Sequence, residues 1–256
     1  MTSTASSQDQ SDLLSSATLF RIAVAIGMLA ALMAVISIAG TRIGDRLADG
    51  GHTTSQDIRH IIIGQDVLAL HENIIRFQQQ RRSGPADKVN VYLSWPAMRG
   101  YSRDNASIFS DPARSASLIF AEFAQSVMTR DMTGRLDPIY RRLFRGKPRP
   151  GPAGLEIHTL DAAHGFGPEV LVTGRRRSGE MFVARCILPG SGETSTSADC
   201  QRDVHVGHDL TMIYRFSAKR LGDWSALDTA MHDFALRALD PGEDQGKRET
   251  KTRIAP

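Results

Sequence analysis

The stretch MFVARCILPGSGETSTSADCQRDVHVGHDLTMIYRF (residues 181–216) holds both cysteines of the chain, each at the end of a β-like run. Runs rich in branched and aromatic side chains and bounded by Gly, Ser and Asp are typical of strands and their turns. The segment between Cys186 and Cys200 is a Gly/Ser/Thr-rich loop, so the two cysteines can face each other within disulfide reach. We predict a Cys186–Cys200 disulfide; the alternative is a pair of buried free thiols.

The predicted bridge also indicates a compartment. Disulfides persist in oxidising environments such as the bacterial periplasm. Closing a loop of about 15 residues is worth roughly 3 kcal/mol in the chain-entropy model. We therefore expect the C-terminal domain to be periplasmic, whereas free thiols would favour a domain facing the cytoplasm.

A long apolar segment near the N-terminus predicts a membrane anchor. Residues 22–41 carry no charge and are bracketed by Arg21 and Arg42, and about 20 such residues span the hydrocarbon core as a helix. A cleaved signal peptide is one alternative, because residues 37–39 resemble a cleavage site, and a buried soluble helix is another. Residues 1–18 contain two aspartates and no Lys or Arg, which favours an uncleaved anchor. The predicted location is the inner membrane, which the chain would cross once. The orientation is inferred from the predicted disulfide, because the distribution of Lys and Arg around the span favours neither orientation strongly.

Composition shifts divide the chain of 256 residues, which is 41% hydrophobic and 23% charged as in ordinary globular proteins. Tails rich in small polar or charged residues, and a linker containing Gly50-Gly51, flank the apolar segments. The predicted divisions are a disordered cytoplasmic tail (1–17), a transmembrane helix (18–41), a linker (42–56), a β-rich periplasmic domain (57–240) and a disordered charged tail (241–256).

Periodicity predicts a mainly β domain with a C-terminal helix. Strict alternation over residues 89–95 marks a strand with one buried face, and residues 116–128 are also assigned to a strand. Trp224, Leu227, Met231, Phe234 and Ala238 recur at helical spacing and predict an amphipathic helix. We expect about eight strands in a sandwich or barrel-like sheet. Residues 145–154 contain too much Pro and Gly for regular structure and are assigned to a linker or loop.

The segment HIIIGQDVLALHENIIRFQQQRR (residues 60–82) reads as apolar strands broken by a turn at Gly64-Gln65-Asp66. A core role is predicted for its apolar side chains, namely Ile62, Val67, Leu68, Ile75 and Phe77. Arg76 is expected to point away from Phe77, where it would be available for an ion pair or a ligand.

Several short motifs resemble a family of uncharacterised single-span, membrane-anchored envelope proteins of Gram-negative bacteria. The resemblance covers about residues 20–145, and His71 stands where that pattern has Pro. It implies the topology described above and no activity. The residues that carry it are Ile63-Gly64, Val67-Leu68, Asn73, Ile75-Arg76-Phe77, Tyr92-Leu93, Trp95-Pro96, Gly100-Tyr101, Arg130-Asp131-Met132, Gly134-Arg135 and Pro138-Ile139-Tyr140.

Histidines supply the best alternative chemistry. His205 and His208, with His158 and His164, could bind zinc if folding brought them together. A spacing of three places His205 and His208 on opposite faces of a regular strand, unless a bulge at Gly207 realigns them. A metal-dependent envelope hydrolase using the His205/His208 region is therefore the alternative function. No catalytic residue, metal or cofactor is otherwise predicted.

Two basic clusters suggest an anionic partner. In the periplasm this would be an envelope protein, an anionic polysaccharide or a lipid headgroup rather than nucleic acid, although solvated loops that keep the protein soluble are the more ordinary explanation of such clusters. The clusters are Arg141, Arg142, Arg145, Lys147 and Arg149, and Arg175, Arg176 and Arg177.

Small residues in the apolar segment, Ala23, Gly27 and Ala31, would let two helices approach closely and suggest a homodimer. The function predicted from the sequence is a non-enzymatic, inner-membrane-anchored accessory, scaffold or binding protein acting in the periplasm.

Overall fold

A computed structural model describes residues 20–21, 24–37 and 51–239. The chain divides into two units, Met1–Gly50 and Gly51–Pro256. In the first unit, residues 24–37 are helical with exposed side chains. Among the helices described, none combines the length and apolarity needed to cross a membrane.

Several predicted divisions fall on parts of the chain that the structure does not describe. The two predicted tails lie outside the described residues, as do Ala23, residues 42–50 of the linker and part of the span predicted at 18–41. The span, the domain boundaries and the homodimer therefore stay predictions.

Eleven strands and two α-helices make up the described part of the second unit, together with short 3-10 segments. The helices are α1 (Ala106–Ser110) and α2 (Trp224–Ala238). The strands are β1 (Ile58–Ile63), β2 (Asp66–His71), β3 (Gly84–Pro85), β4 (Lys88–Ser94), β5 (Leu118–Gln125), β6 (Phe144–Pro150), β7 (Glu156–Leu160), β8 (Val170–Arg175), β9 (Met181–Cys186), β10 (Cys200–Val206) and β11 (Leu210–Phe216).

The strands form two sheets. The small sheet has the order β2-β1-β3, and the large sheet has the order β4-β5-β11-β10-β9-β8-β7-β6 with antiparallel neighbours throughout. The prediction of a mainly β domain ending in a helix is confirmed. The large sheet is open, with β4 and β6 as its edges, so the barrel alternative is wrong.

The main core lies on one face of the large sheet. Alternate residues of β4 and β5, such as Val91 and Phe123, are fully buried there. They belong to the same apolar cluster as Ile61 and Leu68 of the small sheet and Met231 of α2. The small sheet and α2 therefore cover one face together, as in a sandwich whose second layer includes a helix. All five apolar positions predicted for the α2 face are buried.

A second, smaller core lies on the opposite face of β8 and β9. Leu171 and Val183 point there, since their neighbours along the strands point into the main core. Met132, Leu136 and Tyr140 cover them. This part of the sheet is therefore buried on both faces.

Two core predictions in the opening segment are wrong. Ile62 is 42% exposed, whereas Ile61 and Ile63 are 1% exposed, because β1 turns the opposite set of side chains inward. A shift of one residue moves every side chain of a strand to the other face. Phe77 is also 42% exposed, and the Arg76 guanidinium lies over its ring at 5.0 Å instead of pointing away. Leu68 and Ile75 are buried as predicted, whereas Val67, which pairs with Ile62, is only half-buried.

The Pro/Gly-rich segment 145–154 is not simply a loop, because β6 occupies most of it. This strand is an edge of the large sheet, where Pro can stand because its missing N–H faces outward. Pro148, Pro150 and the exposed charges of β6 discourage pairing with another chain. The Pro and Gly content that favoured a loop in the sequence is therefore typical of an edge strand that is protected against pairing with another chain.

The Cys186–Cys200 disulfide is present, which confirms the prediction. The two cysteines are directly opposite on β9 and β10, with Cα atoms 4.0 Å apart, and both are buried. Pairing between these strands includes only the cysteines and the neighbouring Arg185–Gln201 pair. Beyond it, β9 and β10 separate, so the bridge ties the sheet together beside its weakest junction.

Two hairpin turns lock the small sheet to the large one. The buried Asp66 carboxylate accepts hydrogen bonds from the main-chain N–H groups of His208 and Asp209, each at 3.0 Å. In return, the Asp209 carboxylate accepts from the N–H of Gln65 at 3.2 Å. Gly64 and Gly207 have positive φ, and a Cβ on either would lie 2.5 Å from the opposing carboxylate. Glycine is therefore required at both turns.

We expect Asp66→Asn to lower stability at neutral pH. Burial raises the pKa of Asp66, but the hydrogen bonds from Asp209 and His208 outweigh it and hold the pKa below its ordinary value. The ionised form therefore stabilises the fold above about pH 4, and this contribution is lost as the pH falls through the lowered pKa. The substitution should cost about 1–3 kcal/mol at pH 7, because an amide cannot accept all of these hydrogen bonds.

Urea denaturation of wild type and variant from pH 7 to pH 3 measures this effect. The difference should shrink toward the acid end of the range. Asp87→Asn, at an exposed position, is the matched control and should change little. A difference between Asp66→Asn and wild type that is independent of pH would contradict the assigned role.

Candidate functional site

The structure separates the members of the predicted basic clusters. In the first cluster, Arg141 pairs with Asp137 and Arg145 pairs with Asp161, while Arg142, Lys147 and Arg149 are exposed. In the second cluster, Arg175 and Arg177 are exposed at the β8–β9 turn. Arg176 turns inward and pairs with the buried Asp228. Part of this charge is thus neutralised within the fold, and binding of an anionic partner by these residues stays a prediction.

The four histidines considered as metal ligands have four different partners. His205 lies 3.0 Å from the Ser126 hydroxyl, and His208 lies 3.0 Å from Asp66. His158 contacts Thr173, and His164 contacts Asp161. Within residues 51–239, no three His, Cys, Asp or Glu side chains are arranged to hold a metal ion. The geometry therefore gives no support to a site built from His205 and His208.

A buried ionic network fills the gap where β9 and β10 separate. Asp228 of α2 accepts hydrogen bonds from Arg202 Nε at 3.0 Å, from the Tyr214 hydroxyl at 2.5 Å and from Arg176. Arg202 Nη1 also donates to the Val183 carbonyl of β9 at 2.9 Å. The side chain of Arg202 on β10 thus supplies part of the link to β9 that main-chain pairing does not.

Electrostatics fix the charge of two members of this network, Arg202 and Tyr214. Burial raises the pKa of Tyr214 well above its usual value, and the Asp228 charge raises it further. Burial lowers the pKa of Arg202, but Tyr214 and Asp228 outweigh this and the pKa is raised overall. Arg202 therefore stays charged and Tyr214 stays neutral at physiological pH. A cavity of about 250 Å³ adjoins these groups, but their polar atoms already hydrogen-bond one another. This arrangement is typical of a network that stabilises the fold.

A larger cleft of about 550 Å³ lies between β2, the loop after β4 and the C-terminal end of α2. Its buried apolar lining includes Leu70, Ile74, Leu93 and Phe234. The volume falls within the range of small-ligand sites, which combine apolar walls with a few polar groups. We take this cleft as the candidate functional site.

The loop after β4 is held in place by main-chain contacts of residues that carry the family resemblance. Asn73 accepts from the N–H of Tyr101 through its carbonyl at 2.9 Å, and its side chain donates back to the Tyr101 carbonyl at 2.9 Å. A Cβ on Gly100 would lie 2.6 Å from the Asn73 carbonyl oxygen, so no larger residue fits. This close approach fixes one wall of the cleft.

Two arginines give the cleft a positive edge. Arg99 and Arg237 line it and are exposed, and across residues 51–239 neither guanidinium has an ion-pair or hydrogen-bond partner. Asp104 also lines the cleft and offsets one of these charges. An apolar lining beside a net positive edge suits a ligand that combines an apolar group with an anionic one.

Sequence reasoning missed these arginines because each stands alone in the sequence. Neither belongs to a run of like charge, and the loop of Arg99 and the helix of Arg237 meet only in the folded domain. The position of Arg99 beside Gly100-Tyr101, within the resemblance, was the one available signal.

Comparisons with known proteins add little. No family model and no curated protein matches the chain. One similar solved structure is Smlt3025, an immunity protein of the Stenotrophomonas maltophilia type IV secretion system, at 15% identity and a TM-score of 0.48, covering 74% of this chain and 96% of that one. Another is the iron-regulated outer membrane lipoprotein FrpD of Neisseria meningitidis, at 8% identity and a TM-score of 0.44, covering 73% and 95%. With TM-scores below 0.5, neither likeness carries an argument about function.

We expect the Asp228 network to be structural, so that Asp228→Asn destabilises the domain by about 3–5 kcal/mol, because two arginines would be left near a neutral buried group. Equilibrium urea denaturation measures the change. Asp223→Asn at the start of α2 is the control, since Asp223 is exposed and lies 3.7 Å from Arg220. Equal stability of the two variants would contradict the structural role.

Proposed function

We propose that this chain is a non-enzymatic, inner-membrane-anchored binding protein whose β-rich domain acts in the periplasm. The observation that carries the proposal is the cleft between β2, the loop after β4 and α2, in which an apolar lining meets two exposed arginines without partners among residues 51–239. Such a site is suited to holding a ligand. The four histidines of the metal-dependent alternative have separate partners, which does not favour that function.

Location and anchoring rest on separate observations. The Cys186–Cys200 disulfide supports an oxidising compartment, and the uncharged residues 22–41 support an anchor. We retain the divisions proposed from the sequence, with a cytoplasmic tail (1–17), an anchor (18–41), a linker (42–56), the periplasmic domain (57–240) and a charged tail (241–256).

The partner is proposed to be an envelope molecule. An envelope protein or an anionic polysaccharide could supply the negative group that the arginines bind, and membrane lipid would surround the anchor. A homodimer through Ala23, Gly27 and Ala31 also remains part of the proposal.

The topology can be tested with alkaline phosphatase fused after residue 256 and expressed in a Gram-negative bacterium. We expect active phosphatase in the membrane fraction at full length, because the reporter folds only where disulfides form. Inactive fusion would contradict the periplasmic orientation. A soluble product beginning at Gly40 would contradict the anchor.

The cleft can be tested with 4-phenylbutyrate, a soluble probe that combines an apolar ring with a carboxylate. We expect it to shift the Met98 methyl resonance of the full-length protein in lipid nanodiscs, since Met98 lines the cleft. Neutral 4-phenylbutyramide should bind about ten-fold more weakly, the order expected for losing a charge-assisted hydrogen bond.

Single substitutions test whether phenylbutyrate binds in the cleft. Arg99→Ala and Arg237→Ala should each weaken phenylbutyrate binding, whereas Arg142→Ala, which removes an exposed arginine outside the cleft, should not. Equal binding of the acid and the amide, or equal loss in all three variants, would contradict the proposed role of the cleft.

A further inference from the structure

The large sheet has a second exposed surface, distinct from the cleft. On β5 and β11, the side chains opposite the main core include Phe120, Glu122, Ile213 and Arg215, and all four are partly or fully exposed. The smaller core covers this face only over the far half of the sheet, around β8 and β9. Among residues 51–239, nothing covers the near half beside β4, which we call the uncovered face.

Arg76 is held in one position on this face. Its main-chain N–H donates to the Asn90 carbonyl of β4 at 2.8 Å, which fixes the backbone against the sheet edge. Its guanidinium carbon lies 4.7 Å from the centre of the Phe120 ring and 5.0 Å from that of Phe77. Stacking on rings leaves the N–H groups at the guanidinium edge available for a ligand. Within residues 51–239, this guanidinium has no ion-pair or hydrogen-bond partner.

Arg215 lines the same small cavity as Arg76. The cavity holds about 120 Å³ and is also lined by Asn90, Phe120, Glu122 and Ile213. Arg215 has no hydrogen-bonded partner among the described side chains. Two arginines therefore border a space large enough for one small anionic group.

Glu122 also lines this cavity and is paired with Lys88 at its edge. Its Oε2 atom accepts hydrogen bonds from Asn90 Nδ2 at 2.8 Å and from Lys88 Nζ at 3.0 Å, so one of its two oxygens is engaged at the edge of the cavity. Burial raises the pKa of Glu122, but the hydrogen bonds from Asn90 and Lys88 and the positive charges of Lys88 and Arg215 outweigh it, so the pKa is lowered. Lys88 offsets the charge of Glu122, so the groups beside the cavity carry a net charge of about +2. A carboxylate on an aliphatic side chain suits this cavity better than inorganic phosphate, because its aliphatic part can also contact Phe120 and Ile213.

We propose that Arg76 and Arg215 form a clamp for the carboxylate of an acidic side chain, presented by a protein partner that docks on the uncovered face of β5 and β11. A planar guanidinium matches a carboxylate in a two-point hydrogen bond. Arginine and aromatic residues surrounded by partly exposed apolar and polar groups are characteristic of protein interfaces. Phe120 and Ile213 supply the apolar contacts beside the clamp.

The clamp can be tested on the full-length protein in lipid nanodiscs, labelled at the isoleucine δ1 methyl groups. The probe is the peptide acetyl-Gly-Glu-Ser-Glu-Gly-amide, with its glutamine counterpart and inorganic phosphate as comparisons. Titration should reach about 10 mM, because exposed ion pairs contribute little and affinity is expected to be weak. The Ile213 methyl reports on the cavity, and the buried Ile61 methyl reports on the fold.

We expect the glutamate peptide to shift Ile213 and leave Ile61 unchanged, and the glutamine peptide and phosphate to bind more weakly. Arg76→Ala and Arg215→Ala should each weaken binding by about ten-fold. Arg76→Lys should also weaken it, since a lysine keeps the charge but loses the planar fork. Arg82→Ala, at a nearby exposed position, should bind as wild type does.

Glu122→Gln provides a gain-of-function arm that does not depend on removing an arginine. Loss of its negative charge should tighten binding of the glutamate peptide. An unshifted Ile213, equal binding of the glutamine peptide, tighter binding of phosphate, or unchanged affinity in both arginine variants would overturn the clamp. If an arginine variant shifts Ile61, its fold has changed, and Glu122→Gln decides: unchanged affinity there overturns the proposal.

Discussion

The hydrogen bonds between the turn of Asp66 and the turn of Asp209 are the contact on which the arrangement of the two sheets depends. The Asp66 carboxylate accepts from the N–H groups of His208 and Asp209, the Asp209 carboxylate accepts from the N–H of Gln65, and each carboxylate packs against a glycine of the opposing turn. The small sheet is essentially the β1–β2 hairpin, since β3 contributes only two residues, and an isolated hairpin is at best marginally stable. Its position over the large sheet completes the main core and also places β2 at one side of the ligand cleft.

Main-chain pairing in the large sheet is interrupted between β9 and β10, and side-chain contacts replace it there. β9 and β10 pair only next to the Cys186–Cys200 bridge, and beyond it the gap is closed by side chains instead of main-chain hydrogen bonds. Arg202 can do this in the domain interior because Asp228 of α2 balances its charge. The helix therefore contributes more than an apolar face, since it also supplies the counter-ion that lets the separated strands remain in one sheet.

Both proposed binding surfaces follow from where charge is left without a partner. Runs of arginine in the sequence indicate binding of an anionic partner. Within the two runs of this chain, however, Arg141, Arg145 and Arg176 are each paired with an aspartate of the domain. Arg76 and Arg237 are isolated in sequence, and neither guanidinium is paired within residues 51–239. Because paired charges have already lost most of their attraction for an outside ion, the three paired arginines are poorer candidates for partner binding than Arg76 and Arg237.

The sequence by itself determined most strands, the C-terminal helix and the disulfide, because alternation, helical spacing and two cysteines at strand ends are local signals. It did not determine which face of β1 is buried, since Ile61, Ile62 and Ile63 are alike in composition and only docking on the large sheet selects between them. It misread β6 because Pro and Gly mark a protected edge only once the strand order is known. The cleft and the Arg76 cavity were decided by tertiary structure alone, because each combines residues from distant segments whose charge balance exists only after folding.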